Sequence, residues 1–338
     1  MKKFEDIERL RGFACILVLI QHIAWVCPLR FTYNVVPFHL LVGSGGVHIF
    51  FAISGFVVTL SLKDKINEIR DELFLNRLFS AKELLLTFYK KRFFRIFPMA
   101  LFAIFSLAVF LNFTEENLAW LPSLLRTPSE VFFGVYNDAI QLFQEKEKIH
   151  NVGFGSLWTL AVESQFYFLW PLALLLCKND NARAIVCFSL GSLLVFVAQP
   201  ALNSFLGYKY YYIYTQTAGL FWGSFLAYLY ASKDSSIKMN GKVANLITAV
   251  LAMTVWFYPN AYSFENRTFY FDTVVDCASI LLVAFAVFVE GSFKLPILGR
   301  VFDFLGSRSF SFYIIQLPLA NMIVWYTNSI YFPKESFY

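Results

Sequence analysis

Long apolar runs recur along this chain, and their length limits what it can fold into. A helix needs about 20 mostly apolar residues to cross a bilayer's hydrocarbon layer. Nine segments meet or approach this, at 12–29, 43–62, 96–113, 157–177, 184–202, 210–231, 243–258, 273–289 and 309–331. Backbone polar groups find no water inside a bilayer, so such runs satisfy their hydrogen bonds internally, as helices. The expected fold class is therefore all-α: a polytopic integral membrane protein of about nine transmembrane helices. Composition points the same way. The chain is 58% hydrophobic and 15% charged, where a soluble domain carries about a quarter charged residues. Its 41 phenylalanines exceed what a water-facing surface conceals.

Basic residues set the expected orientation. With the N-terminus in the cytoplasm, 21 of the 28 Lys and Arg fall on the cytoplasmic side, nine of them between Lys63 and Arg95. This is the positive-inside pattern. The stretch 118–143 is moderately apolar but is broken by Pro122, Arg126, Pro128, Glu130 and Asp138. Counting it as a span inverts every later loop, so it is expected to be an outer loop with a re-entrant or surface-lying piece. Lys2 and Lys3 precede the first run as in a signal peptide, yet no small-residue cleavage site follows and further spans do; the run is kept as a transmembrane helix. The five cysteines are scattered without a CxxC pair and read as small buried hydrophobes, with no metal site. No basic arm or acidic tail points to nucleic acid.

A plain membrane anchor needs no ionisable groups at depth. The first run, "LRGFACILVLIQHIAWV", has two: Arg11 and His22. Eleven helical positions separate them, about 16 Å along the axis on nearly one face. Arg11 by itself reads as a positive-inside anchor. His22 reads as functional, because a neutral imidazole accepts a proton near pH 7, as a general base must. The second run, "GSGGVHIFFAISGFVVTL", carries His48, for which function and packing are level, and Ser54, for which packing leads. Lys91, Arg92 and Arg95 gather in "FYKKRFFRIFPM". On physics alone they anchor to anionic headgroups; the alternative is a cytoplasmic anion site, with guanidiniums that fork phosphates. Glu163, inside "GSLWTLAVESQFYFLWPL", is costly at depth without a partner. His22 and His48 are the candidate partners. Trp158, Tyr167 and Trp170 read as packing or interface aromatics. Tyr313 and Gln316 of the last run satisfy each other or line a cavity, packing being the safer reading.

These residues fall in blocks that resemble the acyltransferase-3 family of polytopic membrane O-acyltransferases acting on surface glycans. The blocks run in order along residues 1–338 as a single domain. They are Arg11 with His22; "GVHIFFAISGF" at 46–56; Arg92 and Arg95 ahead of Pro98; "SLWTLAVESQFYFLWP" at 156–171; and "LGSRSFSFYIIQLPL" at 305–319. Departures from the pattern are Gln316 where the family commonly has histidine, His48 in place of a frequent aspartate, and a chain that stops at Tyr338 where members usually add a tenth helix.

The resemblance implies transfer of an acyl group, usually acetyl, from cytoplasmic acyl-coenzyme A to a hydroxyl of a glycan or lipid-linked glycan. His22 would be the essential histidine and general base, with Arg11 its partnered arginine and Glu163 orienting or charge-balancing a histidine. Arg92, Arg95 and Lys91 would hold the donor. His48, Ser54, Trp158, Tyr313 and Gln316 would line the cavity. Acyl-coenzyme A is a substrate in this scheme, and no tightly bound cofactor is expected. The implied location is the inner (cytoplasmic) membrane, multi-pass. A proton-coupled transporter or flippase for a sugar or lipid is the alternative, since proton relays use the same residue types.

Overall fold

The computed structural model of the protein describes residues 4–26, 43–113, 157–201, 217–232, 237–259, 271–289, 292–293 and 298–331. Within these residues the chain is helical, apart from short turns and an isolated β-bridge between Ile237 and Val289. In order the helices are α1 (Glu5–Val26), α2 (Gly45–Arg70), α3 (Phe74–Phe113), α4 (Trp158–Leu176), α5 (Asp180–Leu193), α6 (Ala218–Ser232), α7 (Gly241–Phe257), α8 (Phe271–Phe288), α9 (Leu298–Ser307) and α10 (Ser309–Tyr331). A π-helical turn, Leu194–Ala198, prolongs α5.

Each apolar segment of the sequence carries a helix. Among the described residues, three stretches are long and apolar enough to cross a membrane: Gly45–Arg70, Trp158–Leu176 and Asp180–Ala201. The expected outer piece at 118–143 lies outside the described residues. Two differences from the sequence reading stand out. Helix α9 occupies part of what read as a loop; at ten residues it is too short to span, and it packs along α1, where Arg9 Nε meets Asp303 Oδ1 at 3.1 Å. Helix α3 runs for 40 residues, about 60 Å at 1.5 Å per residue. That is twice a hydrocarbon layer, so the basic first half extends beyond the apolar second half.

Helix α2 is the hub, contributing to both large apolar clusters. It runs against α6 at backbone contact. A Cβ placed on Gly55 would lie 1.9 Å from Leu220 O, and one on Gly223 would lie 2.0 Å from Ala52 O. Only glycine on both sides permits this approach, as small residues do at membrane helix crossings. Hydroxyls then bridge the seam: Thr59 donates to Ser224 at 2.8 Å and accepts from Trp170 Nε1 at 2.8 Å. The close fit makes α2 a fixed wall for the side chains it presents.

At its far end α2 is pinned to the α4–α5 turn by Arg183, which is 1% exposed. Its guanidinium donates to Leu174 O at 3.0 Å, to Asp180 Oδ1 at 2.8 Å and to Asn67 Oδ1. Lys63 adds a second cation 3.3 Å from Asp180. Arg183→Ala is expected to cost about 2–3 kcal/mol, the scale of a lost bond to a charged group, and to lower Tm in detergent. Arg183→Lys should restore little, because one ammonium cannot reproduce the three-way fork.

Candidate active site

Helices α1, α2, α3, α4 and α10 enclose a cavity of about 70 Å³. Arg11, Ser54, Arg92, Arg95, Thr159, Glu163, Tyr167, Ser309 and Tyr313 supply its polar lining. Each reaches it for a local reason. Arg92 and Arg95 are i and i+3 on α3 and so project to one side. The Arg92 guanidinium lies over the rings of Phe88 (5.3 Å) and Tyr167 (4.9 Å), and that of Arg95 lies over Phe310 at 5.5 Å. These cation–π stacks tie α3 to α4 and α10. Among the described residues neither arginine has a carboxylate within ion-pair distance. Arg11, by contrast, donates to Glu8 Oε1 at 2.7 Å.

Glu163 and Tyr167 are one turn apart on α4, which brings their side chains together. The Tyr167 hydroxyl donates to Glu163 Oε2 at 2.7 Å and lies 2.5 Å from Ser54 Oγ on α2. Tyr313 of α10 closes the same wall, accepting from Thr159 at 3.0 Å.

A second cavity of about 300 Å³ abuts the first, with Arg92 and Arg95 in the lining of both. Lys65 and Lys91 also line it, and none of its described lining residues is a carboxylate. Four cations around one space favour an anion there. Surface anchoring on headgroups, the reading favoured from the basic run alone, does not require a cavity.

His22 is buried on α1 and lies outside the cavity lining. It sits one turn beyond Val18, which shares an apolar cluster with the cavity residue Val47. The start of α2 is held beside it, where Gly43 N donates to Gln21 Oε1 at 3.1 Å. The unbroken α1 thus carries Arg11 at the cavity and His22 beyond its far end.

The pairing expected for Glu163 is not what the structure describes: its described partner is Tyr167, and His48 pairs elsewhere. His48 Nδ1 lies 2.7 Å from Asp276 Oδ1, with Asp272 Oδ1 3.9 Å from Nε2. All three residues are at most 1% exposed. The physical reason is that α8 presents two carboxylates one turn apart to the α2 face opposite the cavity. Sequence reasoning passed over Asp272 and Asp276, although carboxylates at i and i+4 beside an apolar run carry the signal that singled out Glu163. Of the residues expected at a cavity, Ser54 and Tyr313 line this one, whereas His48, Trp158 and Gln316 do not. Trp158 packs edge-on against Phe51, with ring centroids 6.1 Å apart. Gln316 is buried, and neither end of its amide has a hydrogen-bond partner among the described residues; it does not meet Tyr313. Tyr167, which read as a packing aromatic, has its hydroxyl at the centre of the site. No group of three His, Cys, Asp or Glu among the described residues is arranged to hold a metal ion.

With this geometry in place, likeness to known proteins becomes informative. The family model described as an acyltransferase domain, that of acyltransferase-3, matches residues 4–335. O-acetyltransferase OatA of Staphylococcus aureus (strain NCTC 8325 / PS 47) is 26% identical over 356 residues, covering 96% of this chain and 51% of that protein. Peptidoglycan O-acetyltransferase OatA of Listeria monocytogenes is 24% identical over 342 residues, covering 95% of this chain and 50% of its own length. An uncharacterised protein of Haemophilus influenzae is 25% identical over 226 residues, covering 62% of this chain and 84% of its own. The chain spans about half the length of the two O-acetyltransferases it matches. No solved structure matches it.

Proposed function

This chain belongs to the acyltransferase-3 family, and on that premise we propose that it is a membrane O-acyltransferase. It moves an acyl group, acetyl as in the names of its Staphylococcus and Listeria relatives, from cytoplasmic acyl-coenzyme A to a hydroxyl of a cell-envelope glycan or lipid-linked glycan. The setting is a single domain over 1–338 in the cytoplasmic membrane, with about nine spans and the N-terminus inside.

One observation carries the reading: two abutting cavities share Arg92 and Arg95 in their common wall. The larger, with its four cations, suits the phosphates of coenzyme A. The smaller continues from it towards Arg11, Ser54 and Glu163. Phosphates held in the first leave the pantetheine arm to run past the two arginines into the second. The arm's length is comparable to the separation of Arg11 and His22 along α1, about 16 Å. His22 takes the acceptor hydroxyl's proton as the acyl carbon is attacked.

The test is transfer in proteoliposomes. Purified protein is supplied with labelled acetyl-coenzyme A and envelope glycans, with and without a proton gradient. The proposal expects loss of thioester and label on the glycan in both conditions. Gradient-dependent movement of sugar with no loss of thioester would replace it with a transporter.

A further inference from the structure

Three polar side chains of the smaller cavity form a connected chain that transfer through His22 does not use. Ser54 Oγ lies 2.5 Å from Tyr167 Oη, and Tyr167 donates to Glu163 Oε2 at 2.7 Å. A phenol has one proton to donate. With that proton on the Glu163 bond, the proton between Ser54 and Tyr167 is the serine's. The chain therefore has a direction, from serine hydroxyl through phenol to carboxylate. This is how an activated nucleophile is built, a hydroxyl within reach of a proton acceptor that a third group orients.

Its surroundings separate it from a polar staple between helices. A staple is enclosed by packing, as at Thr59 and Ser224, both fully buried on the α2–α6 seam. Ser54, Tyr167 and Glu163 instead all face the cavity, and Ser54 is half-buried. Arg92 lies over the Tyr167 ring in the same wall. The two fixed sides of the pair come from α2, locked by its glycine crossing with α6, and from α4.

Resting on the donor assignment made above, we propose that Ser54 receives the acyl group first, so that transfer passes through an acyl-Ser54 ester. Ser54 Oγ attacks the thioester carbonyl carbon and forms a C–O bond. Its proton moves to Tyr167 as the phenolic proton moves to Glu163. Charge on the carbonyl oxygen develops beside the Arg92 and Arg95 guanidiniums. Collapse breaks the C–S bond, and the sulfur leaves with the bonding pair. It then takes the proton back from Glu163 through Tyr167. The products are acyl-Ser54 and free coenzyme A thiol, with no other reactant required. The acceptor hydroxyl later attacks the ester carbonyl as His22 takes its proton; the bond between the acyl carbon and Ser54 Oγ breaks with its pair on the oxygen, which regains a proton as His22 gives one up. Splitting the reaction lets a donor entering from the basic cavity leave before the acceptor binds.

The experiment mixes the purified full chain, in lipid nanodiscs, with [14C]acetyl-coenzyme A and no acceptor. The parent is expected to release a burst of about one thiol per protein and to carry label on the peptide containing Ser54. Ser54→Ala should lose that label by about 100-fold or more, and Ser54→Cys should carry it as a hydroxylamine-sensitive thioester. Glu163→Gln keeps the hydroxyl but slows labelling. Thiol release with added envelope glycans by both parent and Ser54→Ala, within twofold and with no label on Ser54, overturns the acyl-serine and leaves the acyltransferase standing. No thiol release by the parent even with glycans overturns both.

Discussion

His22→Ala is expected to lower acetyl transfer from acetyl-coenzyme A to envelope glycans by about 10²–10⁴-fold, the contribution of a positioned general base. The loss should fall on kcat, with KM for the donor nearly unchanged, because His22 lies beyond the cavity that Arg11, Arg92 and Arg95 line. His22→Gln should be almost as inactive, since an amide hydrogen-bonds but does not take the proton. Matched expression and an unchanged Tm in detergent separate this from misfolding. Thiol release without acceptor should survive in His22→Ala, because the base serves the acceptor hydroxyl. A variant that transfers as well as the parent would remove His22 from the chemistry, and one that expresses poorly with low Tm would make it a packing residue.

The second large effect is expected from the shared wall of the two cavities. Removing Arg92 or Arg95 takes away hydrogen bonds to a charged group worth about 1.5–3 kcal/mol each. That corresponds to about 10- to 100-fold in KM for acyl-coenzyme A per arginine. Arg→Lys at either position should recover part of the affinity, because an ammonium keeps the charge but loses the fork and the stack on Phe88, Tyr167 or Phe310. Raised ionic strength should weaken the donor in the parent more than in the double alanine variant. If the arginines only anchor α3 to anionic headgroups, the variants will show unchanged KM and altered dependence on lipid charge.

How far the site could be foreseen differs from residue to residue. Glu163 announced itself, because an ionisable group in an apolar run is expensive wherever the chain folds; the same signal marked His22, which lies outside the cavity lining. Tyr167 did not, since an aromatic within an apolar run ordinarily reads as packing. Its role depends on a carboxylate one turn before it and a serine from another helix. Ser54 looked like helix packing for the same reason: a lone hydroxyl in a span can bond its own backbone, and nothing in its neighbours says otherwise. His48 and Glu163 were open as partners on residue type alone. The structure gives His48 to Asp276 and Glu163 to Tyr167, because α2 presents its two faces to different helices.

The sequence by itself determined the apolar helices, the all-α class and the spacing of Arg11 and His22 on one of them. Those follow from local rules: apolar length, internal backbone hydrogen bonding and a 3.6-residue repeat. Only the tertiary structure decided which polar groups meet. Lipid tails are as apolar as the helix sides, so hydrophobicity does not select partners within a bilayer. Selection falls to close contacts such as Gly55 against Leu220 and to individual hydrogen bonds. Those contacts place Ser54, Tyr167 and Glu163 against one cavity with two arginines that have no carboxylate partner among the described residues.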